Sequence, residues 1–83
     1  MTLFMDTHHK VDGLTAQAVA RAHKMDLAVQ ERYGVSYLKY WFNEETGRVY
    51  CLVEAPDAEA AHAVHREAHG LIADEMVEVQ AGE

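Results

Sequence analysis

The sequence predicts an α+β fold in which two helices cover one face of a four-stranded antiparallel sheet, the ferredoxin-like arrangement. Two observations predict it. Segments with strand-like and helix-like periodicity follow one another in the order β-α-β-β-α-β. The chain has 83 residues, the length of one domain, and contains no linker that divides it. We therefore expect a single ferredoxin-like domain over residues 1–83, with strand order 4-1-3-2.

The first strand is predicted at the start of the chain, where apolar residues give way to polar ones. Alternation places Asp6 and His8 on one face and His9 on the other. A carboxylate in the middle of a central strand must find a partner or face a wet cavity. We expect Lys39 or Arg48 to supply that partner.

A helix follows, for which Thr15 is a suitable N-cap and Gly34 a suitable residue just after the last turn. His23 and Asp26 lie at the edges of its predicted apolar stripe. Apolar residues at helical spacing define that stripe, which consists of Leu14, Ala18, Ala22, Met25 and Val29.

The second half of the chain predicts a hairpin, a helix and a last strand. Residues 35–42 and 48–54 are rich in β-branched and aromatic residues and flank a five-residue turn, so they predict two hairpin strands. The second helix is predicted to begin just after Pro56 and to end at Gly70. Residues 76–79 predict a short fourth strand.

Composition narrows the functional classes. The formal net charge is −7 with histidines neutral, which argues against nucleic acid and against anionic membrane surfaces as partners. No apolar segment has the length or flanks of a signal peptide or a transmembrane helix. The single cysteine, Cys51, has no partner for an internal disulfide, so a reducing cytoplasmic compartment is expected.

The histidines are the most informative residues for function. His8 and His9 are adjacent, and His65 and His69 are four apart on the second predicted helix, on one face. In the predicted topology the first strand and the second helix end at the same edge of the sheet, where the fourth strand begins. This edge is expected to gather the two histidine groups with the carboxylates of Asp6, Asp74 and Glu75.

Mixed nitrogen and oxygen ligands suit nickel, zinc, copper or iron, and octahedral coordination favours nickel over structural zinc. The sequence contains neither a C-x-x-C pair nor an H-E-x-x-H motif, so the signal is spatial. A simpler interpretation exists for some of these residues. His65 alone is as readily explained as a core histidine bonded to a neighbour, and Cys51 as a small buried apolar side chain.

Four segments of the chain form a recognisable pattern: Met5-Asp6-Thr7-His8-His9, Lys39-Tyr40-Trp41, Cys51-Leu52-Val53-Glu54-Ala55-Pro56 and His65-Arg66-Glu67-Ala68-His69-Gly70. With these segments the chain resembles, over nearly its whole length, a small bacterial family of nickel-binding proteins that was first catalogued as a domain of unknown function. The resemblance implies a ferredoxin-like domain in the bacterial cytoplasm that dimerises by packing sheets face to face into a dimeric α/β barrel. Among the histidines, the resemblance is strongest at His8 and His9.

The sequence thus favours a non-enzymatic cytoplasmic protein that binds nickel, or another divalent ion such as zinc, for sequestration, buffering or sensing. A homodimer is expected, because aromatic residues crowd the predicted sheet and aromatic residues are enriched at interfaces. No residue is assigned a catalytic role. The expected metal ligands are His8, His9, His65, His69, Asp6 and Glu75.

Two alternatives remain open at this stage. One is a dimeric α/β-barrel enzyme, monooxygenase-like or isomerase-like, with its site in a cavity on the open face of the sheet. The other is a small-ligand-binding module that uses the same cavity. The residues expected to line that cavity are Asp6, His8, Lys39, Trp41, Tyr50 and Glu54.

Overall fold

The computed structural model describes residues 1–82; position 83, the last residue of the predicted domain, lies outside them. The predicted α+β architecture is confirmed: two helices pack on a four-stranded antiparallel sheet with the order β2-β3-β1-β4. A short 3-10 helix, Gln30–Tyr33, follows the first α-helix. The elements are β1 Thr2–His8, α1 Ala16–Val29, β2 Ser36–Asn43, β3 Arg48–Ala55, α2 Ala58–Ala68 and β4 Glu75–Glu78.

The central strands β1 and β3 carry the core. Side chains of a strand alternate between the two faces of the sheet, and in β1 and β3 every second residue is buried beneath the helices. At the centre of the sheet, Asp6 lies opposite Cys51 on β3 and Met76 on β4. The apolar side chains that form the buried core of this layer include Phe4, Val49, Val53, Ala55, Ala61 and Val64.

Side-chain caps fix where both helices begin. The Thr15 hydroxyl accepts a hydrogen bond from the Ala18 amide at 3.0 Å, as predicted. The Asp57 carboxylate caps α2 in the same way, accepting from the Ala60 amide at 2.9 Å. After the 3-10 turn the chain reverses at Gly34, whose φ of 66° lies in the left-handed region that glycine adopts without a steric penalty.

The predicted apolar stripe of α1 is wrong at Met25, whereas Val29 at its end packs against the core as expected. Met25, which we expected to be buried, is 42% exposed, whereas Asp26 is only 3% exposed. The buried line of the helix runs from Val19 to Asp26, seven residues and about two turns apart. The spacing of apolar residues alone does not show that the buried face of α1 includes position 26, because that position carries a charged residue.

No helix within residues 1–82 is long and apolar enough to cross a membrane.

The cap of α1 gives a test of the fold. Replacing Thr15 with alanine removes the acceptor for the Ala18 amide, so we expect the free energy of unfolding to fall by about 1 kcal/mol. Denaturant unfolding followed by circular dichroism measures this. Thr15→Ser keeps the acceptor and is expected to retain most of the stability. Equal losses in the two variants would contradict a capping role.

Candidate metal centre

The centre of the protein holds one histidine between two carboxylates. His65 lies on α2, Asp6 in the middle of β1 and Asp26 near the end of α1. The Nδ1 atom of His65 is 2.9 Å from Oδ1 of Asp26, and its Nε2 atom is 3.0 Å from Oδ2 of Asp6. All three residues are at most 3% exposed. The first and second helices and the central strand therefore meet through ionisable groups.

The His65 ring is an imidazolium in this arrangement. Ionised carboxylates only accept hydrogen bonds, so both ring nitrogens must donate. Burial lowers the pKa of His65, but the hydrogen bonds to Asp26 and Asp6 outweigh burial and raise that pKa to about 9. For Asp26, burial raises the pKa, and the bonds from His65 and His69 reverse this and hold it below its usual value.

His69 completes the environment of Asp26. Its Nε2 atom lies 3.1 Å from Oδ1 of Asp26, and the Leu71 amide donates to its Nδ1 atom at 3.1 Å. A nitrogen that accepts from an amide carries no proton, so this bonding assigns the neutral ring with its proton on Nε2. Both nitrogens of His69 are therefore already engaged.

The His8 ring and the Oδ1 atom of Asp6 are the parts of the cluster that lack hydrogen bonds among residues 1–82. The Oδ1 atom of Asp6 is buried and has no hydrogen-bond partner among residues 1–82. Its neighbour, Nε2 of His8, is 3.6 Å away, beyond hydrogen-bond distance. Burial lowers the pKa of His8, so its ring is neutral at pH 7 and carries one nitrogen lone pair. A buried carboxylate oxygen and a free imidazole thus face each other.

Cys51 and Tyr37 lie beside the carboxylate of Asp6. Burial, and then the nearby Asp6 carboxylate, raise the pKa of the Cys51 thiol, so it stays protonated. The Tyr37 hydroxyl lies 3.2 Å from Oδ2 of Asp6, and the Tyr37 ring stacks on His65 with centroids 4.6 Å apart. Burial also raises the pKa of Tyr37, which keeps this hydroxyl a hydrogen-bond donor.

The structure brings together four of the six predicted ligands: Asp6, His8, His65 and His69. His9 and Glu75 lie apart from the buried cluster, with about half of each side chain exposed, and their side chains contact each other. The His9 amide also donates to Asp74 at 2.7 Å. The predicted gathering of His9 with these acidic residues at one sheet edge is therefore correct, but they form a separate surface group.

The partner predicted for Asp6 was wrong. Lys39 and Arg48 are exposed and take no part in the cluster, and His65 occupies the position we assigned to them. The Lys39 ammonium lies over the Trp41 ring instead, 5.3 Å from its centroid. Since Asp6 and His8 face the helices, the residues expected to line a cavity on the open face are divided between the two faces of the sheet. Those on the other face are Lys39, Trp41, Tyr50 and Glu54.

Asp26 and Tyr37 are the functional residues that the sequence analysis missed. Asp26 follows Val19 by seven residues and so shares its face of α1, which is the signal that was available. Tyr37 precedes a β-bulge at position 38, so the pattern of β2 changes face within the strand.

Two overlapping groups have the spacing that a metal ion needs. In each group every residue offers one ligand atom, and these atoms all lie within 4.8 Å of one another. Nitrogen and oxygen ligands lie about 2.1 Å from a transition-metal ion, so opposite ligands are about 4.2 Å apart. Only the first group contains the unpartnered oxygen of Asp6. The groups are Asp6, His8, Cys51 and His65, and Asp26, His65 and His69.

The charge on His65 gives a pH-dependent stability. The pKa is raised from 6.5 to about 9 on folding, so this stabilisation is fully present below pH 6.5 and is lost as the pH rises through 9. We expect the free energy of unfolding of metal-free protein to fall by on the order of 3 kcal/mol over that range. Denaturant titrations at successive pH values measure it.

Two variants control this measurement. His65→Gln has no titrating ring and should give a flatter profile, whereas His62→Gln, one turn earlier on α2, should follow the wild type. Wild-type stability that stays constant or rises between pH 6.5 and 9 would contradict the imidazolium assignment.

Comparisons with known proteins identify the family of this chain and a solved structure with a similar fold. The family model described as nickel responsive protein SCO4226-like matches residues 4–79. A crystal structure of SCO4226 from Streptomyces coelicolor A3(2) is similar to the chain, with a TM-score of 0.90 and 40% sequence identity over 98% of this chain and 99% of that one. No curated protein matches. The family match covers nearly all of the chain, which therefore belongs to the SCO4226-like family of nickel responsive proteins.

Proposed function

We propose that this protein binds a divalent transition metal, nickel by preference and zinc as the alternative, and that it sequesters, buffers or senses the ion without catalysing a reaction. One observation carries the proposal: the buried Oδ1 atom of Asp6 has no hydrogen-bond partner within residues 1–82 and faces the neutral ring of His8. The description of the family as nickel responsive supports nickel as the ion.

The proposed ligands are the carboxylate of Asp6 and the imidazoles of His8 and His65, with the thiol of Cys51 beside them. His65 must release its Nε2 proton to become a ligand, while its Nδ1 proton stays hydrogen-bonded to Asp26. A carboxylate behind a ligating histidine fixes the orientation of the ring and raises its basicity. His69, bonded to the same Asp26 oxygen, holds that carboxylate in place. Binding therefore releases protons and weakens as the pH falls.

His9 and Glu75 belong to the proposal as a second, exposed donor set. Their side chains already contact each other, and Asp74 lies beside them. Imidazole and carboxylate together suit the same ions as the buried group. Because solvent competes at an exposed site, we expect the His9 group to bind more weakly than the buried one.

Equilibrium dialysis of untagged protein against nickel tests the buried site. We expect stoichiometric uptake, and His8→Ala is expected to weaken it by about 100-fold or more because a primary ligand is lost. His62→Ala removes a histidine outside the cluster and should bind like the wild type. His9→Ala should remove only the weaker phase.

Two results would overturn the buried site: no stoichiometric uptake by the wild type, or unchanged uptake by His8→Ala. If only His9→Ala loses nickel uptake, the metal binds at the exposed group of His9 and Glu75 and not at the buried cluster. Circular dichroism shows whether each variant is folded. Proton release on nickel addition to the wild type tests the role of His65 without a substitution.

We also propose that the protein is a homodimer that packs its open sheet faces together as a dimeric α/β barrel. The open face carries apolar and aromatic side chains, among them Trp41 at 41% and Val77 at 53% exposure. Near its centre, Leu52 lies opposite Met5 on β1 and Lys39 on β2. Contiguous apolar surface of this kind is typical of a site of association.

Sedimentation equilibrium tests the dimer. Leu52→Lys introduces a charge into the centre of the proposed interface and is expected to give monomers at concentrations where the wild type is dimeric. Leu27→Lys is the matched control, because Leu27 is 43% exposed on α1, in the opposite layer. A monomeric wild type, or equal behaviour of the two variants, would contradict this interface.

The proposed location is the cytoplasm. Cys51, the only cysteine of the chain, is free and buried. A reducing compartment suits a metal site with a free thiol beside its ligands, because it keeps that thiol from being oxidised.

A further inference from the structure

A cavity of about 190 Å³ lies on the helix side of the sheet, beside the buried cluster. Residues from β1, α1, β2, β3 and α2, and from the loops after β1 and α2, line it. Most of its wall is apolar, because it is formed by Leu14, Val19, Ala22, Val49 and Cys51. This space lies on the opposite side of the sheet from the open face that the sequence analysis considered.

The cavity has an opening at the edge of the sheet where β1 ends and β4 begins, which we call the top edge. A second depression of about 350 Å³ shares His8, Val11, Asp12 and Leu71 with it. Asp12 is exposed, and Leu71 is 47% exposed, so these two residues lie at the rim. A molecule from solvent can therefore reach the inner space between the two loops.

The volume sets the size of an occupant. An engineered apolar protein cavity of about 150 Å³ stays dry and binds benzene. A cavity of about 190 Å³ therefore accommodates one six-membered ring with one or two small substituents. At the far wall the rings of His23 and Tyr40 lie 4.8 Å apart, centroid to centroid, and offer aromatic surface.

Polar groups of the wall set the chemistry of an occupant. His65 and His69 both hydrogen-bond to Oδ1 of Asp26, so these two histidines offer little to a ligand. The ring of His8 is different, since its Nε2 atom lies 3.6 Å from Asp6 and forms no hydrogen bond within the described residues. Here a ligand finds an imidazole nitrogen that has no hydrogen-bond partner within residues 1–82.

Charge excludes anionic occupants. The carboxylate of Asp26 lines the cavity, and the imidazolium of His65 is already balanced by two carboxylates. The chain as a whole carries a formal charge of −7. A carboxylate or phosphate entering this space loses its hydration and gains no free cation in return.

We propose that this cavity binds a small uncharged aromatic alcohol, a simple phenol, with the ring between α1 and β3 and the hydroxyl on His8. The apolar wall favours an aromatic ring, and the free imidazole of His8 favours a ligand with one hydroxyl group. The neighbouring carboxylates favour a ligand without negative charge. The proposal does not rest on nickel binding, although both use His8, and it concerns the metal-free protein.

NMR titration of chelator-treated, isotope-labelled protein with phenol, toluene and benzoate tests it. We expect saturable shifts of amides along α1 and β3 with phenol. Toluene, which lacks the hydroxyl, should bind about fivefold to tenfold more weakly, the value of one hydrogen bond. Benzoate should give no saturable shifts there.

Matched substitutions locate the site. Ala22→Leu fills the cavity from α1 and should weaken phenol binding at least about tenfold, whereas Ala20→Leu makes the same change at an exposed position of the same helix and should have no effect. His8→Phe should abolish the preference for phenol over toluene.

Each contrary result overturns a part of the proposal. Absence of saturable shifts with both phenol and toluene removes the site. Equal phenol affinity in Ala22→Leu and Ala20→Leu moves binding elsewhere, and benzoate binding as tightly as phenol removes the argument from charge. If Ala22→Leu does not fold, the affinities of wild type and His8→Phe for phenol and toluene still test the proposal. An unchanged preference for phenol in His8→Phe would contradict a hydrogen bond from the ligand to His8. Nickel uptake is measured separately, so either proposal can fail alone.

Discussion

The imidazolium of His65 between two buried carboxylates is the interaction on which the arrangement of this protein depends. It joins β1, α1 and α2 at one point through Asp6 and Asp26. Buried charges are tolerated only when paired, and removing one partner typically costs 3–5 kcal/mol. A slip of β1 by one residue turns Asp6 to the open face, and a rotation of α1 removes Asp26. The cluster therefore selects one register and one helix orientation.

The same cluster separates groups whose bonding is complete from groups whose bonding is not. Each nitrogen of His65 and of His69 has a partner, which holds both rings in place. The Oδ1 atom of Asp6 and the ring of His8 have none in the described part of the chain. Rigid, fully bonded residues thus support a small set of unbonded ones. This combination suits the proposed ligand site, because the unbonded atoms need not break internal bonds first.

Local patterns predicted much of the site, and long-range packing decided the rest. Alternation in β1 correctly placed Asp6 and His8 on one face, and helical spacing paired His65 with His69. Asp26 was assigned to the edge of its stripe because apolar periodicity counts only apolar residues, while its burial depends on partners on another helix, 39 residues away for His65. The cavity was not predictable, since it is the space left by residues from seven segments.

The two faces of the sheet have opposite chemical characters, and this constrains how binding and assembly can coexist. Under the helices, the ionisable cluster and the cavity both depend on His8, which lines the mouth at the top edge. The open face exposes apolar and aromatic side chains such as Leu52 and Trp41, with Lys39 between them, and contains none of the buried cluster. Association through that face, as proposed, leaves the mouth accessible. The proposed binding of metal or phenol can then change without altering the proposed interface. The sheet separates the two sites, because the side chains of each strand alternate between its two faces.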